Sequence, residues 1–100
     1  MALKIGTFYD KGPHFEGTLE TRKLNDLGAI TIVPFDKTKD SEPDYLVNSG
    51  RFQIGRAWKQ TTKDGESEYL NVLLDDPHFD EEVRARLVRQ GDKHILLWER

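Results

Sequence analysis

Apolar and polar residues alternate along most of the chain, and clusters of glycine, asparagine and aspartate break the alternation about every ten residues. Strands joined by tight turns produce this signature, because successive side chains of an extended chain point to opposite faces of a sheet. Leu3 to Tyr9 begins the series, and Asp10-Lys11-Gly12-Pro13 supplies the first turn. His14 to Arg22 then sets Phe15, Gly17, Leu19 and Thr21 against His14, Glu16, Thr18 and Glu20. Asn25-Asp26-Leu27-Gly28 turns the chain into Ala29 to Val33, which Pro34 is expected to end because proline offers no amide donor. Asp36 to Pro43 is polar and unpatterned, and is expected to be the longest and most mobile loop. Asp44 to Asn48, Arg51 to Lys59 and Glu68 to Leu74 read as strands, joined by hairpin turns at Asn48-Ser49-Gly50 and Lys63-Asp64-Gly65-Glu66.

Residues 79–89 carry two periods at once. Phe79, Val83 and Leu87 are spaced as on a helix, while Val83, Ala85 and Leu87 also alternate with Arg84 and Arg86. Acidic residues followed by arginines would suit a helix dipole, so a short helix near residues 79–88 stays open. Gln90-Gly91-Asp92 before the alternating His94 to Trp98 implies a final hairpin and favours the strand. No internal repeat is evident. The expected fold is all-β: six to seven short antiparallel strands in a small barrel or compact sandwich, forming a single domain over residues 1–100.

With 100 residues, 36% of them hydrophobic and 33% charged, the chain has material for one modest core and no second one. Its longest apolar run is about four residues against the ~20 a membrane-spanning helix needs, and the N-terminal residues lack a secretory pattern. A soluble, cytoplasmic protein with no membrane partner is expected. The absence of cysteine excludes disulfide scaffolds, thiolate metal sites and thiol nucleophiles. A net charge of −3 and a pI near 5.6 argue against broad electrostatic capture of duplex DNA.

Candidate chemistry is sparse. Asp75, Asp76, His78 and Asp80 have the ligand types for a hard or borderline cation, but adjacent aspartates on an extended chain point to opposite faces, so a capping role is expected and no metal site. His14, His78 and His94 lack a neighbouring hydroxyl with an orienting acid, and no nucleophile elbow, paired-histidine zinc motif or phosphate-cradling glycine loop is present. No catalytic residue, no cofactor and no enzymatic activity are expected.

The stretch from Arg51 to Lys59 contains a conflict, because strict alternation puts Phe52, Ile54, Arg56 and Trp58 on one face. Either Arg56 snorkels or pairs with a carboxylate inside an apolar stripe, leaving Trp58 in the core, or a bulge at Gly55 reverses the alternation and turns Trp58 outward. Core packing of Trp58 is the ordinary outcome, and Trp98 reads as a plug at one end of a barrel. Arg84 and Arg86, about 7 Å apart along one face of a strand, could with Arg89 grip phosphates or an acidic patch. Glu81, Glu82 or Asp80 could instead neutralise them.

Ile5-Gly6-Thr7-Phe8, Phe15-Glu16-Gly17-Thr18-Leu19, Pro43-Asp44-Tyr45, Ile54-Gly55-Arg56-Ala57-Trp58-Lys59, Tyr69-Leu70, Leu74-Asp75-Asp76-Pro77-His78-Phe79 and Leu97-Trp98-Glu99-Arg100 occur in this order. Together they resemble a family of about this length, domain of unknown function 736, found in proteobacteria and often carried on plasmids, phages and integrative elements. The resemblance implies a mobile-element accessory protein and confers no catalytic residues. Two positions depart from the family pattern: Leu46 stands where the family usually has arginine, and Arg56 where it usually has alanine.

Residues and resemblance together give the expected function: a non-enzymatic binding module of a mobile genetic element that engages a host or element protein, for example an inhibitor of a host-defence complex. The candidate contacts are Arg56, Trp58, Lys59, Arg84, Arg86 and Arg89. The alternative is single-stranded nucleic-acid binding by a small β-barrel, and a metal-dependent hydrolase is a more distant one.

Overall fold

The computed structural model describes residues 2–21, 28–75 and 81–99. Its strands are β1 (Ala2–Asp10), β2 (Phe15–Leu19), β3 (Ala29–Pro34), β4 (Tyr45–Ser49), β5 (Phe52–Thr61), β6 (Glu68–Leu74), β7 (Val83–Gln90) and β8 (Lys93–Glu99). Each pairs antiparallel with the next, and β8 returns to pair with β1, so the sheet closes into a barrel. The strand count is eight rather than six or seven, because every extended segment of the sequence, the five-residue β4 and the ambiguous β7 included, is laddered on both edges. Closure leaves no edge open to other chains. Pro34 ends β3 as expected, opposite Tyr45.

The described residues contain no helix, and of the two readings open for residues 79–89 the favoured strand is found, as β7 from Val83 onward. The physical reason is lateral pairing: Ala85 and Leu87 each face a partner on both sides, Val72 and Trp98 for the first, Leu70 and Leu96 for the second. A helix there would have left β6 and β8 unpaired, so sheet closure outweighs the local charge pattern.

Alternation fills the interior. Phe8, Leu19, Ile30, Ile32, Val47, Leu74, Leu87 and Leu96 are almost fully buried, and Trp98 and Val83 pack partly buried against this core. Trp98 thus belongs to the core, as its position in the alternation suggested.

At Ile5-Gly6 and at Ile54-Gly55 two successive residues are both buried and the strand register slips, which breaks the period of two. In β1 the register to β8 slips between Lys4 and Gly6; in β5 the register to β4 slips between Gln53 and Gly55. Each slip is a β-bulge with isoleucine as the extra residue. At each, the isoleucine carbonyl accepts an amide from the residue just beyond the next strand, Glu20 N to Ile5 O at 2.7 Å and Asp75 N to Ile54 O at 2.8 Å. The correspondence extends further, since Gly6 faces Leu19 as Gly55 faces Leu74, and Val47 stands opposite Gly55 as Leu96 stands opposite Gly6. The barrel is therefore two equivalent four-stranded halves, β1–β4 and β5–β8, a repeat hidden in the sequence because only a few inward positions share residue types.

Candidate functional site

The bulge at Gly55 decides where the candidate residues lie. Past it, Ala57 turns inward and is fully buried, while Arg56 and Trp58 turn to the outer face and are only partly covered. Phe52, on the other side of the slip, is 63% exposed with the Arg51 guanidinium 5.2 Å from its ring. Of the two arrangements open from the sequence, the bulged one is found, and Trp58 is not part of the buried core cluster.

Register carries the outer face across the neighbouring strands. Arg56 stands beside Leu73 and Leu73 beside Arg84; one step along, Trp58 stands beside Asn71, Asn71 beside Arg86, and Arg86 beside Leu97. Two adjoining grooves of ≈ 310 and ≈ 240 Å³ follow these rows, one between Trp58 and Arg84, the other running from Arg84 past Arg86 to Leu97, with Asn71 common to both. The Arg56 guanidinium lies 5.9 Å from the Trp58 ring and that of Arg86 lies 6.0 Å from the Tyr69 ring, distances suited to cation–π contact. Arg56 also approaches Asp75 at 3.8 Å, and Arg84 pairs with Glu82 at 3.0 Å. Both ion pairs are exposed, so they hold these side chains only loosely. Leu73, Asn71, Tyr69 and Leu97 went unnoticed in the sequence; their signal is parity, legible once the bulge fixes which positions face out.

The loop between β3 and β4 borders this wall, and it is far more tied down than its polar composition suggested. The Glu42 carboxylate accepts from the Thr38 hydroxyl and amide (both 2.7 Å) and from the Lys39 amide (2.9 Å). Asp44 accepts from the Lys59 amide at 2.8 Å and from Lys37 Nζ at 3.1 Å, and Trp58 Nε1 donates a long 3.4 Å bond to the Ser41 carbonyl. Hydrogen bonds from Thr38 hold Glu42 below its ordinary carboxylate pKa, and the Lys59 amide, then Lys37, do the same for Asp44. Loops of this kind are ordered by carboxylates acting as local caps.

The six sequence candidates do not form one site. Arg56, Trp58, Arg84 and Arg86 share the outer wall. Lys59 has the inward parity of Ala57 and emerges at the mouth of the barrel, its Nζ 6.0 Å from the Tyr45 ring. Arg89, with the parity of Ala85 and Leu87, reaches the same end opposite His94 and donates to the Gly91 carbonyl at 3.2 Å. Two-residue spacing put Arg84 and Arg86 on one face, whereas Arg89, three beyond Arg86, falls on the other.

His14 Nε2 meets Glu16 Oε1 at 3.1 Å. His94 stands edge-on to Phe15, ring centroids 4.8 Å apart, and burial pushes its pKa below the ordinary value. Among the described residues no three histidine, aspartate or glutamate side chains gather as metal ligands, and Asp76, His78 and Asp80 lie outside them.

Fold and wall together define a small closed antiparallel β-barrel with an arginine- and aromatic-bearing outer face on one of its two halves. The chain belongs to the family described as protein of unknown function (DUF736), whose model matches residues 4–100. No curated protein and no solved structure matches it.

Proposed function

We propose that the protein is a non-enzymatic binding module whose outer wall over β5–β8 docks a protein partner with an acidic, partly apolar surface. The observation that carries this reading is the contrast between the equivalent halves. Where β5–β7 present Arg56, Trp58, Leu73, Asn71, Arg84 and Arg86, the matching positions of β1–β3 hold Thr7, Tyr9, Thr18, Glu16, Ala29 and Thr31. The first half closes the same barrel with a tyrosine in place of the tryptophan and with small residues in place of the three arginines, so the scaffold does not require the arginines of the second. Tryptophan and arginine around a leucine-lined groove are the residue types that dominate protein-binding hot spots. Cationic side chains beside them complement an acidic partner. The source of the partner follows the expectation attached to the family resemblance, a host or element-encoded protein met by a module of a mobile element. Both described histidines are engaged in structural contacts, which supports a role without catalysis.

The test begins with capture from host lysate and is decided with the purified partner. Wild-type protein is expected to bind it, and Trp58→Ala and the Arg84→Glu/Arg86→Glu double variant to raise Kd at least about tenfold. Thr18→Glu, on the matching wall of the first half, should leave Kd unchanged. Equal affinities for all four proteins would refute the assignment of the wall. Binding of an unstructured oligonucleotide that weakens steeply with salt and is lost in Trp58→Ala would replace protein docking by the single-strand alternative.

A further inference from the structure

The end of the barrel opposite Trp98 is built differently from the wall. Inward-facing positions there bring Phe15, Tyr45 and His94 together, with ring centroids 6.0 Å apart for Phe15 and Tyr45 and 4.8 Å for Phe15 and His94. All three rings are half-buried, and they line an open depression of ≈ 260 Å³ floored by Leu70 and Leu87. At about 30 Å³ per water molecule, that is room for roughly nine waters, the size of a molecule with one or two rings. Mouths of β-barrels are recurrent sites for such ligands.

The charges around the mouth divide into two kinds. Asp10 accepts the Gly12 amide at 2.9 Å and Arg89 donates to the Gly91 carbonyl at 3.2 Å, so each is engaged by its own turn. Lys59 and Glu68 line the depression itself. They sit diagonally across β5 and β6, Lys59 opposite Leu70 and Glu68 opposite Thr61. Among the described residues neither forms an ion pair, with each other or with a third group. A lysine and a glutamate thus flank one aromatic-walled depression, their Cα positions one diagonal step apart, ~7 Å. His94 Nδ1 is shielded from solvent and has no hydrogen-bond partner among the described residues.

We propose that this mouth is a binding site for a small aromatic zwitterion, a free aromatic amino acid, whose ring packs on Phe15, Tyr45 and His94 while Lys59 holds its carboxylate and Glu68 its ammonium. Asp44 attracts Lys59 at longer range but is ion-paired with Lys37 at 3.1 Å, so a ligand of one charge would leave either Lys59 or Glu68 without a close counter-ion. The zwitterion satisfies both, and its ring covers apolar surface that is now wet. Tyr69 borders both the depression and the outer wall, but none of the five residues assigned to the ligand belongs to that wall, so the site stands independently of the docking surface.

Titration with L-phenylalanine, followed by amide NMR shifts, tests it. Saturable shifts are expected at residues 15, 45, 59, 68 and 94, with a Kd of about 0.1–10 mM for so open a site. Phenylpropionate, which lacks the amine, and phenethylamine, which lacks the carboxylate, should each bind about threefold weaker or worse. Lys59→Gln should remove the advantage of phenylalanine over phenethylamine, and Glu68→Gln its advantage over phenylpropionate. Both side chains are exposed, so neither variant threatens the fold. Absence of saturation up to ~100 mM, tenfold above the weakest expected Kd, shifts centred away from the mouth, or equal affinity for the three compounds would overturn the proposal.

Discussion

Replacing Gly55 with alanine tests the device that turns Trp58 outward. A Cβ at Gly55 would overlap the Leu73 carbonyl oxygen and come within 3.0 Å of Leu74 Cδ2 and 3.1 Å of Leu74 Cα. Two of these atoms are backbone in the ladder of β6, so no rotamer change relieves the clash, and β5 and β6 must part where Gly55 faces Leu74. Overpacking of this kind costs about 1–3 kcal/mol, and stretching a ladder hydrogen bond adds about 1 kcal/mol. The total, about 2–4 kcal/mol, is a large share of the 5–15 kcal/mol typical of a domain. For 100 residues it corresponds to a melting temperature lower by about 10–30 °C. Gly65→Ala provides the control: Gly65 has φ 74° with nothing within 4 Å of an added methyl group, so only the left-handed backbone penalty of about 1–2 kcal/mol applies. Calorimetry on the two variants decides the matter. A Gly55→Ala protein that melts no lower than Gly65→Ala would refute the close-approach argument and with it the reason for glycine at the bulge.

Two further predictions concern pH and the loop. Burial lowers the folded pKa of His94, so the unfolded chain binds the extra proton more readily, and stability should fall as pH drops below the ordinary value of 6.5; His94→Phe, which keeps the ring contact with Phe15, should flatten that part of a melting-temperature profile. Asp44 and Glu42 have lowered pKa values, so their contribution is fully present above the ordinary carboxylate range and is lost as pH falls through it. Asp44→Asn, which weakens the tie to Lys37 and the Lys59 amide, should lower the melting temperature by about 4–8 °C at neutral pH, shift indole fluorescence to the red through Trp58, and lose most of this acid dependence.

Much of the fold was legible because alternation and turn residues report directly on extended chain. The strand boundaries, the glycine turns and the core position of Trp98 follow from local pattern. Residues 79–89 were ambiguous because their charge order suits a helix; the hairpin signal at Gln90-Gly91-Asp92 favoured the strand, and pairing to β6 and β8 completes the case. The repeat stayed hidden: Ile5-Gly6 and Ile54-Gly55 are equivalent through the backbone bonds they receive from Glu20 and Asp75, which no spacing reveals. The Arg56 conflict did point to the bulge, since an arginine inside an apolar stripe is a local inconsistency of the kind that marks a functional or strained position. Lys59 and Arg89 were grouped with the wall because charge type was read without parity, and parity sends both to the barrel mouth.

The two-half architecture also bears on how surface and stability separate in this chain. Both halves place a glycine at the bulge with leucine opposite it and a buried apolar residue beyond, Phe8 in one and Ala57 in the other, to seal one core. Their outward sets differ in size, polarity and charge, yet the strands pair in corresponding registers. Outer residues are therefore constrained weakly by the barrel and free to be set by what they meet, whereas inner residues are constrained by packing at near-crystalline density. Within that division the departure at Arg56 gains a meaning: the added cation sits at an outward position next to Trp58, where it alters the proposed docking surface and leaves the core untouched.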